Sequence, residues 1–215
     1  MKPLMKKELL LSMHPTAPLF LLLSSMLIIP NYPYYVVFFY TGLAVFFTCL
    51  SGRENHDVFY TLMLPVAKKD IVKARYAFVI LLEAAQMIAA VPFAVIRQHM
   101  PLPGNQVGMD ANIALFGFAF AMLGLFNFVF FSIYYRDVNE VGKAFVWSST
   151  AVFLFITAAE ACAHIVPFVR DRLDTADPQY LSEKLAVLGI GFVIGAALTW
   201  LAFRKSVRSF ERLDL

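Results

Sequence analysis

From Thr16 to Leu50, and again from Ala111 to Ile133, the chain carries no Asp, Glu, Lys or Arg. A helix needs about 20 consecutive apolar residues to cross the hydrocarbon core of a bilayer. These runs meet that length, and few folds other than membrane-spanning helices can hold several of them. Composition points the same way. Hydrophobic residues make up 60% of the 215 positions and Phe occurs 22 times, whereas a soluble domain is nearer half apolar. The charged 15% lies in the gaps between apolar runs. The chain is therefore read as an all-α membrane protein forming one domain over residues 1–215.

Six spans are expected, at about 16–32, 33–50, 76–96, 111–133, 144–169 and 185–203. Ahead of them, Lys2, Lys6, Lys7 and Glu8 alternate with Leu4, Met5 and Leu9 to Leu11. That pattern fits a short interfacial helix on the membrane face, or a frayed start of span 1. Pro15, Pro18, Pro30 and Pro33 bracket a first span that is short for a bilayer. Tyr32, Tyr34 and Tyr35 read as an aromatic belt at the outer interface. Asp177-Pro178 offers an N-cap acid followed by a proline at the first helical position, so span 6 is expected to begin as a helix in the preceding loop.

Charge placement gives the chain a direction. Lys2, Lys6, Lys7, Arg53, Lys68, Lys69, Lys73, Arg75, Arg136, Lys143, Arg204, Lys205, Arg208 and Arg212 fall on one side of the six-span layout. Only Arg97, Arg170, Arg172 and Lys184 fall on the other. By the positive-inside bias, both termini lie in the cytoplasm and the protein sits in the cell's inner, cytoplasmic membrane.

Several chemistries find no support. No G-x-x-x-x-G-K-[ST] phosphate loop, no H-E-x-x-H and no G-x-S-x-G occurs. No catalytic residue, metal ligand set or cofactor is assigned to this chain. Cys49 and Cys162 lie inside apolar runs, as small buried hydrophobes would. No exposed basic face of the size nucleic acid needs is visible, and no signal peptide pattern precedes span 1.

The longest polar interruption is Gly52 to Tyr76. Val58, Phe59 and Leu62 can share one helical face, with Glu54, Asn55, Asp57 and Thr61 around the rest. Pro65 separates this short helix from a second, which starts near Lys68 and runs into span 3. Asp70 lies where an acid favours a helix N-terminus. The segment reads either as an ordinary charged loop or as a coupling helix, a rigid knob for an energy-supplying partner. On the second reading its working residues are Glu54, Asp57, Val58, Phe59, Leu62, Pro65, Lys68, Lys69, Asp70 and Arg75.

The run Glu54…Phe59-Tyr60…Leu64-Pro65-Val66-Ala67-Lys68-Lys69-Asp70-Ile71-Val72…Arg75-Tyr76 resembles the signature of ABC-2 type transporter permeases. That family often has serine where this chain has Ala67. Serine would form a capping box with Asp70, and its loss is worth about 1 kcal/mol of helix start. The six-span layout extends the resemblance, more loosely, to the whole chain. Small family members resemble permeases that export phenol-soluble modulins and related antimicrobial peptides. The resemblance implies a separate cytoplasmic ATPase that carries the ATP and Mg, a homodimer or heterodimer of permeases, and an amphipathic peptide as substrate.

Polar residues inside the spans are the remaining candidates. An acid at a span centre costs about 2.5–3.5 kcal/mol on insertion scales, so Glu83 should face protein or a watery cavity. Glu83 and Gln86 in span 3 read as interhelical ties or as the lining of a translocation path. Glu160 and His164 in span 5 share a face and read as a mutual hydrogen-bonded pair or as a substrate- or proton-sensitive site. Asn127 reads as interhelical glue. Gly191 and Gly195 form a G-x-x-x-G for close helix packing, within the chain or across a dimer. An ion- or proton-coupled carrier using Glu83, Glu160 and His164 is the rival reading, and the lack of an internal repeat or of broken-helix Gly/Pro pairs counts against it. A non-transporting membrane scaffold is the other.

Overall fold

The computed structural model describes residues 2–101 and 103–213. Every regular element among them is helical. In chain order they are α1 (Lys2–Lys7), which passes into a π-helical turn at Glu8–Ser12, and α2 (Thr16–Leu22), which tightens into a 3-10 stretch at Leu23–Ile28. Then come α3 (Tyr35–Glu54), α4 (Asp57–Leu62), α5 (Lys68–His99), α6 (Ile113–Tyr134), α7 (Val141–Ile165), a second π-helical stretch at Val169–Leu173, and α8 (Leu181–Glu211). Five of these, α3 and α5 to α8, are long and apolar enough to cross a membrane. A sixth crossing exists only if the pair Lys2–Ser12 and Thr16–Ile28, bent by 83°, counts as one.

That bent pair corrects the simple first span. With rises of about 1.5 Å per α-helical and 2.0 Å per 3-10 residue, Thr16–Ile28 covers roughly 22 Å. It still runs alongside most of α3, from its start to Thr48. The His14 amide donates to Thr48 Oγ1 (3.3 Å), and the Tyr34 hydroxyl donates to the Ile29 carbonyl (3.1 Å). Proline explains the short helix: Pro15 and Pro18 sit at its start, and Pro30 closes the 3-10 stretch.

α6 is the packing centre, bordered by α3, α7 and α8. It meets α8 at backbone distance. A Cβ on Gly191 would stand 1.9 Å from the Gly117 carbonyl oxygen, and one on Gly195 would stand 2.4 Å from that of Phe120. The G-x-x-x-G of α8 therefore packs within the chain, against Gly117 and Gly124 of α6. In a bilayer, where helices gain little from hiding apolar surface, such close contact supplies much of the association.

Other boundaries move for local reasons. α7 stops at Ile165, because Val166 is extended ahead of Pro167, and does not reach 169. α8 starts at Leu181, so Asp177-Pro178 does not open it. Asp177 instead serves the start of α6: its Oδ2 accepts from the Ile113 amide (3.1 Å), beside Asn112, whose Oδ1 accepts from the Leu115 amide (3.1 Å). Tyr34 and Tyr35 are buried and do not form an interfacial belt. Tyr34 OH accepts from Arg97 Nε (2.9 Å), and Tyr35 OH reaches the Met109 sulfur (3.5 Å). Cys49 is buried as expected, whereas Cys162 is exposed on α7.

Candidate functional site

The candidate site lies at the end of the bundle that carries α1, α4, the start of α5 and the end of α8, called here the basic end. α4 is a helix of six residues held between two breaks. His56 takes a left-handed conformation (φ 52°) between α3 and α4, and Leu64-Pro65 follows α4. Ala67 is extended with no side-chain cap, so the first amides of α5 turn to its carbonyl (Asp70 N, 2.9 Å). The missing serine is thus met by backbone alone.

The stripe Val58, Phe59 and Leu62 lies on the buried to half-buried side of α4. Val58 and Thr61 point inward, and Phe59 and Leu62 are half-buried. Tyr60 (70% exposed), Met63 (81%) and Leu64 (55%) form the outer ridge, next to exposed Glu54, Asn55, His56 and Pro65. A six-residue helix has too few turns for its sequence to say which of two apolar stripes is the inner one.

Asp57 and Arg75 also move from the expected surface into the interior. Arg75 Nη2 donates to Asp57 Oδ2 (2.8 Å), and Arg75 Nε lies 2.9 Å from Glu8 Oε2. Lys7 Nζ reaches Asp57 Oδ1 (2.5 Å) and Glu8 Oε1 (3.1 Å), and Ser12 Oγ donates to Asp57 Oδ2 (3.3 Å). The side chains of Glu8 and Arg75 are 1% and 5% exposed. Two cations and two anions thus join α1, the π-helical turn, α4 and α5 in one neutral cluster. Its geometry is incomplete. Glu8 Oε2 lacks a well-directed hydrogen bond despite the short ion-pair distance, and Arg75 Nη1 has no partner. Burial pushes the Asp57 carboxyl up, but the Arg75 charge and the Lys7 and Ser12 contacts outweigh it and leave its pKa below the ordinary value.

The other coupling candidates spread around this cluster. Lys68 Nζ donates to the Leu213 carbonyl (2.6 Å), tying the start of α5 to the end of α8. Lys69 is exposed, and Asp70 sits in the first turn of α5. Lys7 and Glu8 did not enter the sequence-based set, although a signal existed: Glu8 is the single acid ahead of Glu54.

The four polar candidates within the spans do not converge. Gln86 faces α2 and α3, donating to Ser24 Oγ (3.0 Å) and the Val37 carbonyl (3.3 Å). Glu83 faces the other way and accepts from Asn127 Nδ2 (2.8 Å), which also donates to Thr199 Oγ1 (3.1 Å). Asn127 is therefore the expected glue. Glu83 borders a groove of about 480 Å³ between α5 and α8, with Ile80, Phe192, Trp200 and Phe203 on its walls. Glu160 and His164 lie at the far end and do not bond to each other. Glu160 Oε2 accepts from the Met109 amide (3.0 Å), and His164 Nε2 lies 3.5 Å from the Val107 carbonyl. Both hold the loop before α6, which presses so closely that a Cβ on Gly108 would overlap the Glu160 carboxylate.

Among the described residues no group of three or more His, Cys, Asp or Glu is arranged to hold a metal ion. The helices and their packing define a multi-pass membrane protein with a charged, polar segment clamped to one end. A family profile described as "ABC-2 family transporter protein" matches residues 3–211. The chain belongs to that family, whose members are the membrane subunits of ABC transporters and are not themselves catalytic. Family membership implies an ATPase partner. Neither the curated proteins nor the solved structures gave a match.

Proposed function

We propose that this chain is the permease subunit of an ATP-driven ABC exporter, with its basic end and both termini in the cytoplasm. In this reading α4 and the start of α5 receive the ATPase. Lys/Arg asymmetry between the two ends supports the orientation. The observation that carries the coupling role is the exposed ridge Tyr60-Met63-Leu64 on a helix joined to α5 through Asp57 and Arg75. A push on the ridge reaches α5 directly through that ion pair and reaches α1 through Lys7 and Glu8. α5 then moves as a lever, since its 32 residues cover about 48 Å. Two permeases and two ATPases would form the working assembly, and amphipathic peptides are the proposed substrate. The wide apolar groove beside Glu83 supports a substrate that prefers the membrane interface.

The test is co-purification of the ATPase with Tyr60→Asp plus Met63→Asp. Capture should fall at least tenfold while the permease keeps its detergent elution profile. Unchanged capture, together with unchanged ATPase stimulation by amphipathic helical peptides, would remove the coupling role of α4.

A further inference from the structure

The basic end holds a second feature, on the flank of α8 away from α5. Arg204, Arg208 and Arg212 follow one another at four-residue spacing, so they stack along one stripe of the helix. All three are exposed. With Lys205 they line a groove of about 620 Å³, floored by Leu201 and by Phe128 of α6. Lys205 Nζ lies 5.4 Å over the Phe128 ring, so its charge already has a partner face. Among the described residues none of the four cations has a carboxylate within 4.0 Å. Like charges stacked at this spacing repel. The helix C-terminus relieves the last turn, but Arg204 lies about two turns earlier and gains little from it.

Depth selects the ligand. α8 carries no charged residue from Leu185 to Phe203, and Arg204 follows at once. At about 1.5 Å per residue, Arg208 stands roughly 6 Å beyond Arg204, and Arg212 roughly 12 Å beyond it, at the outer rim from which its long side chain reaches back. The headgroup layer on each side of the hydrocarbon is of similar depth, about 5–8 Å. The floor residue Leu201 is 50% exposed and lies one turn deeper, inside the apolar stretch. A soluble protein would have to enter the hydrocarbon to cover it. A lipid needs only its normal position, with the phosphate among the arginines and its chains along Leu201 and Phe128.

We infer that Arg204, Arg208 and Arg212, with the Leu201–Phe128 floor, form a binding site for an anionic phospholipid of the leaflet at the basic end. Arginine suits this ligand because its planar fork meets two phosphate oxygens at once. The bound lipid cancels the repulsion along the stripe. It also sits on the part of α8 whose opposite face is tied to α5 and α6, through Ser206 with Tyr76 Oη (2.9 Å) and the Phe131 carbonyl (3.3 Å).

The experiment is native mass spectrometry of the purified full chain, titrated with phosphatidylglycerol or phosphatidylcholine. Phosphatidylglycerol adducts are expected to survive preferentially. The triple variant Arg204→Gln, Arg208→Gln, Arg212→Gln should lose that preference, at about fivefold per arginine. A control variant, Lys2→Gln with Lys6→Gln, removes charge from the same end and should keep it. Equal retention of both lipids by the natural chain overturns the inference, as does an equal loss in the two variants. Displacement of the lipid by millimolar inorganic phosphate alone would also overturn it, by making the site one for a free ion. So would a triple variant that keeps the lipid preference but no longer captures the ATPase, since the groove would then be a protein dock.

Discussion

The two ends of the bundle hold their carboxylates in different ways. At the basic end Glu8 and Asp57 meet Lys7 and Arg75, charge against charge, across four separate elements. At the opposite end acids meet mostly backbone. Glu160 accepts from Met109 N, Asp110 from Asn105 N (2.7 Å), Asp174 from Asp110 N (2.7 Å) and Asp177 from Ile113 N. A carboxylate fixed by amides holds a loop in one shape, because the donors belong to the chain it shapes. Side-chain ion pairs instead bridge separate elements, each partner reaching across on rotatable bonds. One end is thus a stopper held mostly by its own backbone, and the other a joint in which side chains fasten separate elements together.

Three measurements break or sharpen this contrast. The largest effect is expected at the joint. Arg75→Leu leaves Glu8 and Asp57 with Lys7 as their one shared cation, and the buried negative charge left uncompensated costs about 3–5 kcal/mol. Unfolding in detergent should show that loss, accompanied by release of α1 to protease. At the stopper, Asp177→Ala removes the acceptor of Ile113 N and one of the two acceptors of Gln98 Nε2, and leaves the buried Lys184 with only the Thr175 carbonyl (2.6 Å). A loss of about 2–3 kcal/mol is expected, with α1 still protected. If Asp177→Ala is the costlier change, the ion cluster is not what holds the joint.

The smallest effect is a pH dependence of opposite sign at the two ends. The Asp57 pKa is lowered, so its stabilisation is complete above the ordinary carboxylate value and disappears as pH falls through the depressed folded value. Burial raises the Asp174 pKa against its hydrogen bond from Asp110 N. Its ionised form is therefore a burden above the raised value, and that burden lifts as pH falls towards the ordinary one. Thermal stability should hold or rise slightly on mild acidification and then drop. Asp57→Asn should flatten the drop, and Asp174→Asn should flatten the rise. A natural chain that loses stability evenly from neutral pH downwards would show that the two ends do not differ in this way.

Much of this fold was legible because membrane helices write themselves in charge-free runs. The runs around α3, α5, α6, α7 and α8 stand near their expected places, and Gly191 and Gly195 pack as small residues should. What was not legible depends on contacts between distant segments. Asp177 looks like a cap for the helix that follows it, yet a closer amide was waiting at Ile113. Glu160 and His164 look like a pair by spacing, but both found backbone groups of the loop before α6. At the candidate site, Lys68 to Asp70 begin a helix as read, whereas Asp57 and Arg75 turned inward because Lys7 and Glu8 arrive from the far N-terminal segment. Local periodicity does not record such partners.

The glycine contact between α6 and α8 also sets an order of assembly. Gly117 leaves the ribosome some 70 residues before Gly191. At roughly 5–20 residues per second, α6 waits several seconds for its mate. During that time its bare backbone face, shaped by Gly117 and Gly124, lies open in the bilayer to any other small-residue helix. Completion of α8 is therefore the event that covers the glycine face of α6, and a chain truncated before Leu181 should remain an open and sticky intermediate.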